Sequence, residues 1–130
     1  MIVVDASAVV EALVGRSPAP ELLDLLEGDL AAPHVIDIEM LSALRGLMLG
    51  GHLRVEEAEE AREVYAQLTI ARYEATLLAD RIWALRHQYT SYDAAYLALA
   101  EGIDAPVVTC DRKLDAGGRR VSVTVLPRSC

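Results

Sequence analysis

Two short β-branched runs constrain this chain most: Ile2-Val3-Val4 near its start and Val107-Val108-Thr109 near its end. Neither alternates apolar with polar, as a strand with one wet face does, so each reads as a strand buried on both sides. Strands of that kind belong to parallel sheets covered by helices on both faces. Between the two runs, helical stretches alternate with weaker strand candidates. That order predicts an α/β chain, a three-layer sandwich with a central, mainly parallel sheet flanked by helices.

Local signals divide the rest. Ser7 is positioned to cap a helix running to Val14 and stopped by Gly15. Residues 20–26 read as a second helix, closed by Gly28, and Leu30-Ala31-Ala32 as a short strand. Asp37 is the expected cap of a helix that runs to Gly50-Gly51. A Glu-rich helix spans 55–67, with Glu56, Glu57, Glu59 and Glu60 as its solvated face. Thr69-Ile70-Ala71 is a weak strand candidate. Residues 75–86 are helical, with Leu78, Ile82 and Leu85 on one side. Ser91 is the expected cap of a helix over 92–101 stopped by Gly102, and 122–126 form the last strand. Gly117-Gly118 followed by Arg119-Arg120 reads as a turn with a solvated basic pair.

The chain has 130 residues, the length of one domain spanning 1–130. With five Tyr, one Trp and no Phe, the core must be built from Ala, Leu, Val and Ile. No apolar run approaches the ~20 residues of a membrane span. The N-terminus lacks the basic region and long apolar stretch of a signal peptide. Two cysteines, Cys110 and Cys130, make no disulfide framework, so a cytoplasmic protein is expected. Twelve Lys and Arg stand against 20 Asp and Glu, a formal charge of −8. That is the wrong sign for holding phosphates with a basic surface, unless bound cations mediate the contact.

Four acids are placed where such cations would be useful. Asp5 and Asp111 follow the two strong strands, at the sheet edge where open parallel sheets bind ligands. Glu39 lies in the first turn of its helix, on the same face as Ala43, Gly46 and Gly50. Those small residues would let the helix approach closely and turn the carboxylate inward. Asp93 opens a helix that is otherwise nearly all apolar, and a buried helix with an isolated acid needs a partner for that charge. Taken singly, each acid has a plainer account as a helix cap or a compensator of the helix dipole. Together they suggest one site, in which a divalent cation relieves their mutual repulsion. Oxygen-only ligands suit Mg²⁺ or Mn²⁺ rather than Zn²⁺. Carboxylate-held Mg²⁺ activates water and clamps phosphate oxygens in in-line hydrolysis. His34, His52 and His87 are too dispersed to ligate together, and Cys110 reads as a strand-end core residue. Arg86 ends a helix shortly before Asp93, close enough in sequence to orient a phosphate.

These residues resemble a known family. Met1-Ile2-Val3-Val4-Asp5-Ala6-Ser7-Ala8 is similar to the opening motif of PIN-domain nucleases, an Asp at a strand end with a hydroxyl two residues on. The stretches around Glu39 (33–44) and Asp93 (90–101) resemble the second and third motifs, the third especially as it stands in VapC-type toxins. Val107-Val108-Thr109-Cys110-Asp111-Arg112-Lys113-Leu114 resembles the fourth. The resemblance implies a PIN-like sandwich and a Mg²⁺-dependent endoribonuclease, the toxin of a bacterial toxin–antitoxin pair. It implies a homodimer blocked by a small cognate antitoxin, with RNA as substrate. It also implies that Asp5, Glu39, Asp93 and Asp111 form the metal site, with Ser7, Thr109 and Arg86 in support. A groove between the helices near 20–26 and 37–50 is the expected seat of an apolar antitoxin segment.

Three other readings compete. One is a PIN-fold nuclease of RNA maturation or DNA processing, and another a degenerate PIN-like interaction module. Four intact acids weigh against the second, since an unused charge cluster only costs stability. The third is a phosphoacceptor receiver domain, which would carry an acidic pair after its first strand, whereas Asp5 has no acidic neighbour.

Overall fold

In the computed structural model, which describes residues 1–115 and 120–129, the two apolar runs from opposite ends of the chain lie side by side. Strand β1 (Ile2–Val4) pairs in parallel with β4 (Val107–Thr109), Val3 opposite Val107 and Val4 opposite Val108. On its other edge β1 pairs with β2 (Leu30–Pro33), which pairs with β3 (Ile70–Tyr73). Strand β5 (Val123–Val125) closes the far side against β4. The order is β3-β2-β1-β4-β5, and every pairing is parallel. Strands β1, β2 and β4 are almost wholly buried, as their unbroken apolar sequence requires.

Among the described residues, six helices cover the sheet: α1 (Ala6–Val14), α2 (Pro20–Leu26), α3 (Val35–Leu49), α4 (Val55–Gln67), α5 (Ala79–Ala84) and α6 (Ser91–Ile103). Helices α1, α3 and α4 pack on one another, while α5 packs on α6, which lies over β1, β2 and β4. Residues 94–100 of α6 are all buried, so this helix is core on every side. The core is aliphatic as expected, but Tyr65, Tyr89 and Tyr96 also enter it. Among the described residues, no helix is long and apolar enough to cross a membrane.

Several local expectations need correction. Asp5, not Ser7, caps α1: its carboxylate accepts from the Ala8 amide at 3.1 Å. Helix α3 starts earlier than expected, with His34 at the cap position, so Asp37 lies inside the helix. Thr90 rather than Ser91 caps α6, accepting from the Asp93 amide at 3.1 Å. Helix α6 runs through Gly102 and ends at Asp104, which takes the left-handed conformation (φ 53°). Residues 75–86 split into a 3₁₀ turn at Ala75–Leu77 and the short α5. Of the expected turn at Gly117-Gly118-Arg119-Arg120, residues 117–119 lie outside the described residues, as does Cys130.

Candidate active site

The strand order reverses between β1 and β4: β1 leads by way of α1 and α2 to β2 on one side, and β4 leads to β5 on the other. Parallel sheets bind ligands beyond the carboxyl ends of their strands at such a point. Asp5 leaves β1 there, its amide continuing the ladder to Val108 O at 3.3 Å. Asp111 lies two residues past β4.

Asp5 is 6% exposed, and hydroxyls hold it. Ser7 Oγ donates to Oδ1 at 2.8 Å and Thr109 Oγ1 donates to Oδ2 at 2.6 Å. Each hydroxyl has one proton, and both protons go to Asp5. The two oxygens stand 3.2 Å apart and accept in turn, Ser7 from the Cys110 amide at 2.9 Å and Thr109 from the Asp111 amide at 2.8 Å. The cradle thus fixes the Asp5 carboxylate and the backbone that carries Asp111 in one network. It leaves Oδ2 with a lone pair that these donors do not use.

Burial pushes the Asp5 carboxyl up to about 6, against the pull of its hydrogen bonds, and the charge on Asp111 adds to the rise. Glu39 and Asp93 are half-buried and raised too, each first by burial. Asp93 adds to the rise of Glu39, and Asp111 to that of Asp93. The four acids therefore feel one another. None of them forms an ion pair with a cation among the described residues, although Lys113 eases Asp93 from a distance. Glu39 instead receives the Tyr96 hydroxyl at 2.5 Å.

Oxygen-only donors, with Asp5, Glu39 and Asp93 all raised, fit a hard divalent cation. Among the described residues, no three His, Cys, Asp or Glu side chains converge into a preformed cage. Mg²⁺ does not require one: it keeps several waters and is commonly held by one or two carboxylates together with substrate phosphate.

Arg86 is not brought to this group. It donates to Trp83 O at 2.8 Å and lies over the Trp83 ring, 4.7 Å from its centroid, because the helix-end loop turns it back onto its own element. Tyr96 and Arg128 belong near the site and had no local signal. Tyr96 sits in an apolar run, and Arg128 is brought in by the chain's last turn, its Nε donating to Cys110 O at 3.2 Å.

The expected groove is also displaced. Helix α2 buries Leu22 with Ala8, Val108 and Leu126 and packs on α1. The cavity instead opens between α1 and α3, about 500 Å³ in volume, with Val10, Ala43 and Leu47 on its walls and Ser7 and Glu39 at its acidic end. A Cβ added at Gly46 would meet nothing within 4 Å, so the small-residue face of α3 borders open space rather than a close helix contact.

A family model described as PIN domain matches residues 2–119. Ribonuclease VapC9 of Mycobacterium tuberculosis is 38% identical over 129 residues, covering 98% of this chain and 100% of its own. Ribonuclease VapC1 of the same species is 40% identical over 117 residues, 88% of each chain. The crystal structure of PAE2754 from Pyrobaculum aerophilum matches with a TM-score of 0.68 at 23% identity, over 94% of this chain and 81% of that one. A toxin–antitoxin complex from Klebsiella pneumoniae contains a chain matching with a TM-score of 0.62 at 23% identity, over 90% and 92% of the two chains.

Proposed function

The chain belongs to the PIN-domain family, with VapC ribonucleases among its relatives, and on that premise we propose that it is a Mg²⁺-dependent endoribonuclease, the toxin of a toxin–antitoxin pair. The observation that carries this reading is the group of carboxylates near the strand-order reversal, in which Asp5 and Glu39 are held by hydroxyls rather than cations and Asp5, Glu39 and Asp93 are all raised.

Asp5, Glu39, Asp93 and Asp111 would hold the ion, some directly and the others through water. Mn²⁺ is expected to substitute. When bound, the ion supplies an activated water for in-line attack and neutralises charge on the phosphate. Ser7 and Thr109 keep Asp5 in one rotamer, so its carboxylate need not reorganise when RNA arrives. Tyr96 orients Glu39 and supplies the proton that its Oε1 accepts. Thr109 fixes the backbone at Asp111 through that residue's amide.

A small antitoxin is the proposed partner. The walls of the α1–α3 cavity suit an apolar segment of such a partner, whose Arg or Lys would reach Glu39 at the acidic end. The toxin–antitoxin complex among the structural neighbours supports this reading. A homodimer is the proposed assembly, and light scattering checks it.

The test is direct. Purified protein should cleave structured RNA with Mg²⁺ or Mn²⁺ and stop in EDTA. Expression of the chain alone should arrest growth, relieved by the neighbouring small gene and by Asp5→Asn. Metal-independent cleavage that survives all four single acid-to-amide substitutions would overturn the assignment.

A further inference from the structure

The nuclease reading leaves one buried carboxylate without a task. Glu11 is 2% exposed in the middle of α1. It accepts from the Ser129 amide at 3.0 Å and from the Ser129 hydroxyl, which itself accepts from the Ser17 amide at 2.9 Å. Glu11 thus latches the strap formed by residues 126–129 as it crosses from β5 back to α1. The strap is also tied to the end of β4, where the Leu126 amide donates to Thr109 O at 2.8 Å.

Between these ties stands Arg128. Its Nε is spent on Cys110 O, the carbonyl between Thr109, which holds Asp5, and Asp111. Its terminal nitrogens donate to no group among the described residues, and the side chain is exposed. Arg128 borders both cavities that flank the acidic group, the one between α1 and α3 and a second of about 940 Å³ beside Asp111 and Arg112. The strap therefore carries a guanidinium to the rim of a site whose carboxylates would repel RNA.

We propose that Arg128 is a phosphate-binding residue of this site, gripping an RNA backbone phosphate next to the one that is cleaved. The proposal rests on the nuclease reading and deepens it. A guanidinium presents its remaining donors as a planar fork that matches phosphate oxygens. The bond to Cys110 O aims that fork before substrate arrives, which lowers the ordering cost of the contact. RNA phosphate is favoured over an apolar protein segment because the unspent face of Arg128 is an exposed, charged fork, which phosphate oxygens match and apolar side chains do not.

The test compares Arg128→Ala, Arg128→Lys and, as a control on an exposed helix, Arg62→Ala. Cleavage of a short mixed-sequence RNA gives KM and kcat. Fluorescence anisotropy of the same RNA on the cleavage-silent Asp93→Asn protein, with Mg²⁺ over a salt series, gives affinity and salt slope. Arg128→Ala should raise KM about tenfold, leave kcat within about twofold, and make the log–log salt slope shallower by about 0.7. Arg128→Lys should keep most of the slope, because the charge remains. Arg62→Ala should change neither, and melting temperatures should stay level throughout. Unchanged KM and slope in Arg128→Ala overturn the proposal. So does a lowered melting temperature with an unchanged slope, which marks a structural strap alone, or weakened antitoxin binding with RNA affinity intact. A wild-type protein that neither cleaves nor binds RNA overturns the nuclease reading itself, an outcome distinct from all of these.

Discussion

Asp37 and Glu39 stand two residues apart on α3, and their carboxylates have opposite surroundings. Asp37 is gripped by Arg72, whose Nε and Nη2 reach its oxygens at 2.9–3.1 Å, and by the Tyr65 hydroxyl at 2.7 Å. The Arg72 hydrogen bond holds the Asp37 carboxyl below the usual range, while burial and the Asp37 charge push the Tyr65 phenol up to about 12. Glu39 has a hydroxyl and other acids instead, and its carboxyl is raised. Asp37, which ties α3 to α4 and β3, is one of the carboxylates matched with a cation inside the chain. The carboxylates at the strand-order reversal are left with an unmet demand for positive charge, which a divalent ion would satisfy. The sequence reads Asp37 as the cap and Glu39 as a first-turn acid of one helix, whereas α3 begins at Val35 and puts Asp37 in its first turn with Glu39 beyond it, and only the fold gives one a cation and leaves the other without.

The largest effect should separate the two in activity. Asp5→Asn, Glu39→Gln, Asp93→Asn and Asp111→Asn should each lower RNA cleavage roughly a hundredfold or more. Asp37→Asn should leave it within a few-fold, measured by gel assay at saturating Mg²⁺. Equal losses at Asp37 and Glu39 would break the comparison.

The next effect is on stability against pH in EDTA. The Asp5 carboxyl is raised from 3.8 to about 6, so between those values the folded protein binds the proton more tightly than the unfolded chain. Stability from this group therefore falls as pH rises through that window and is level above it, by roughly 3 kcal/mol for a shift of this size. Asp5→Asn should lose that slope in urea titrations across the window. Asp37 acts in the opposite sense. Its lowered carboxyl stabilises the fold above the ordinary carboxylate range, and that contribution is lost as pH falls through the lowered value.

A smaller effect tests the cation on the structural side. Arg72→Met leaves Asp37 unmatched and should cost about 1 kcal/mol, discounted because the pair is partly exposed, or roughly 3–6 °C in melting temperature. Asp24→Asn, on the exposed side of α2, should change neither stability nor cleavage.

The frame of the molecule was legible because its signals are local. The apolar runs at β1 and β4 and the all-round apolar stretch of α6 read directly as buried elements. Asp5 was readable as a strand-end residue and Asp93 as a helix-start residue, whereas Glu39, expected in the first turn, lies beyond it because α3 starts at Val35. What failed was choice among neighbours. Thr90 and Ser91 are both competent caps, and only the exact start of α6 selects Thr90. Asp5 and Ser7 are both competent caps, and only the start of α1 selects Asp5, which Ser7 in turn holds. Arg86 is near Asp93 in sequence, but its side chain turns back onto Trp83. Arg128 and the Glu11 latch arise from contacts spanning 18 and 118 positions, which leave no local trace.

Divalent-ion binding should belong to the group that contains the raised Asp5, Glu39 and Asp93 and not to the cation-matched Asp37. Thermal melts of the wild type, Asp93→Asn and Asp37→Asn, each in EDTA and in Mg²⁺, test it most directly. The wild type should gain stability from Mg²⁺, about 2.7 kcal/mol at a hundredfold excess over its dissociation constant. Asp37→Asn should gain as much from a lower starting point. Asp93→Asn should melt at or above the wild type in EDTA, since one repelling charge is gone, and gain less from Mg²⁺. An Asp93→Asn protein that is destabilised in EDTA and gains from Mg²⁺ as the wild type does would remove Asp93 from the ion site.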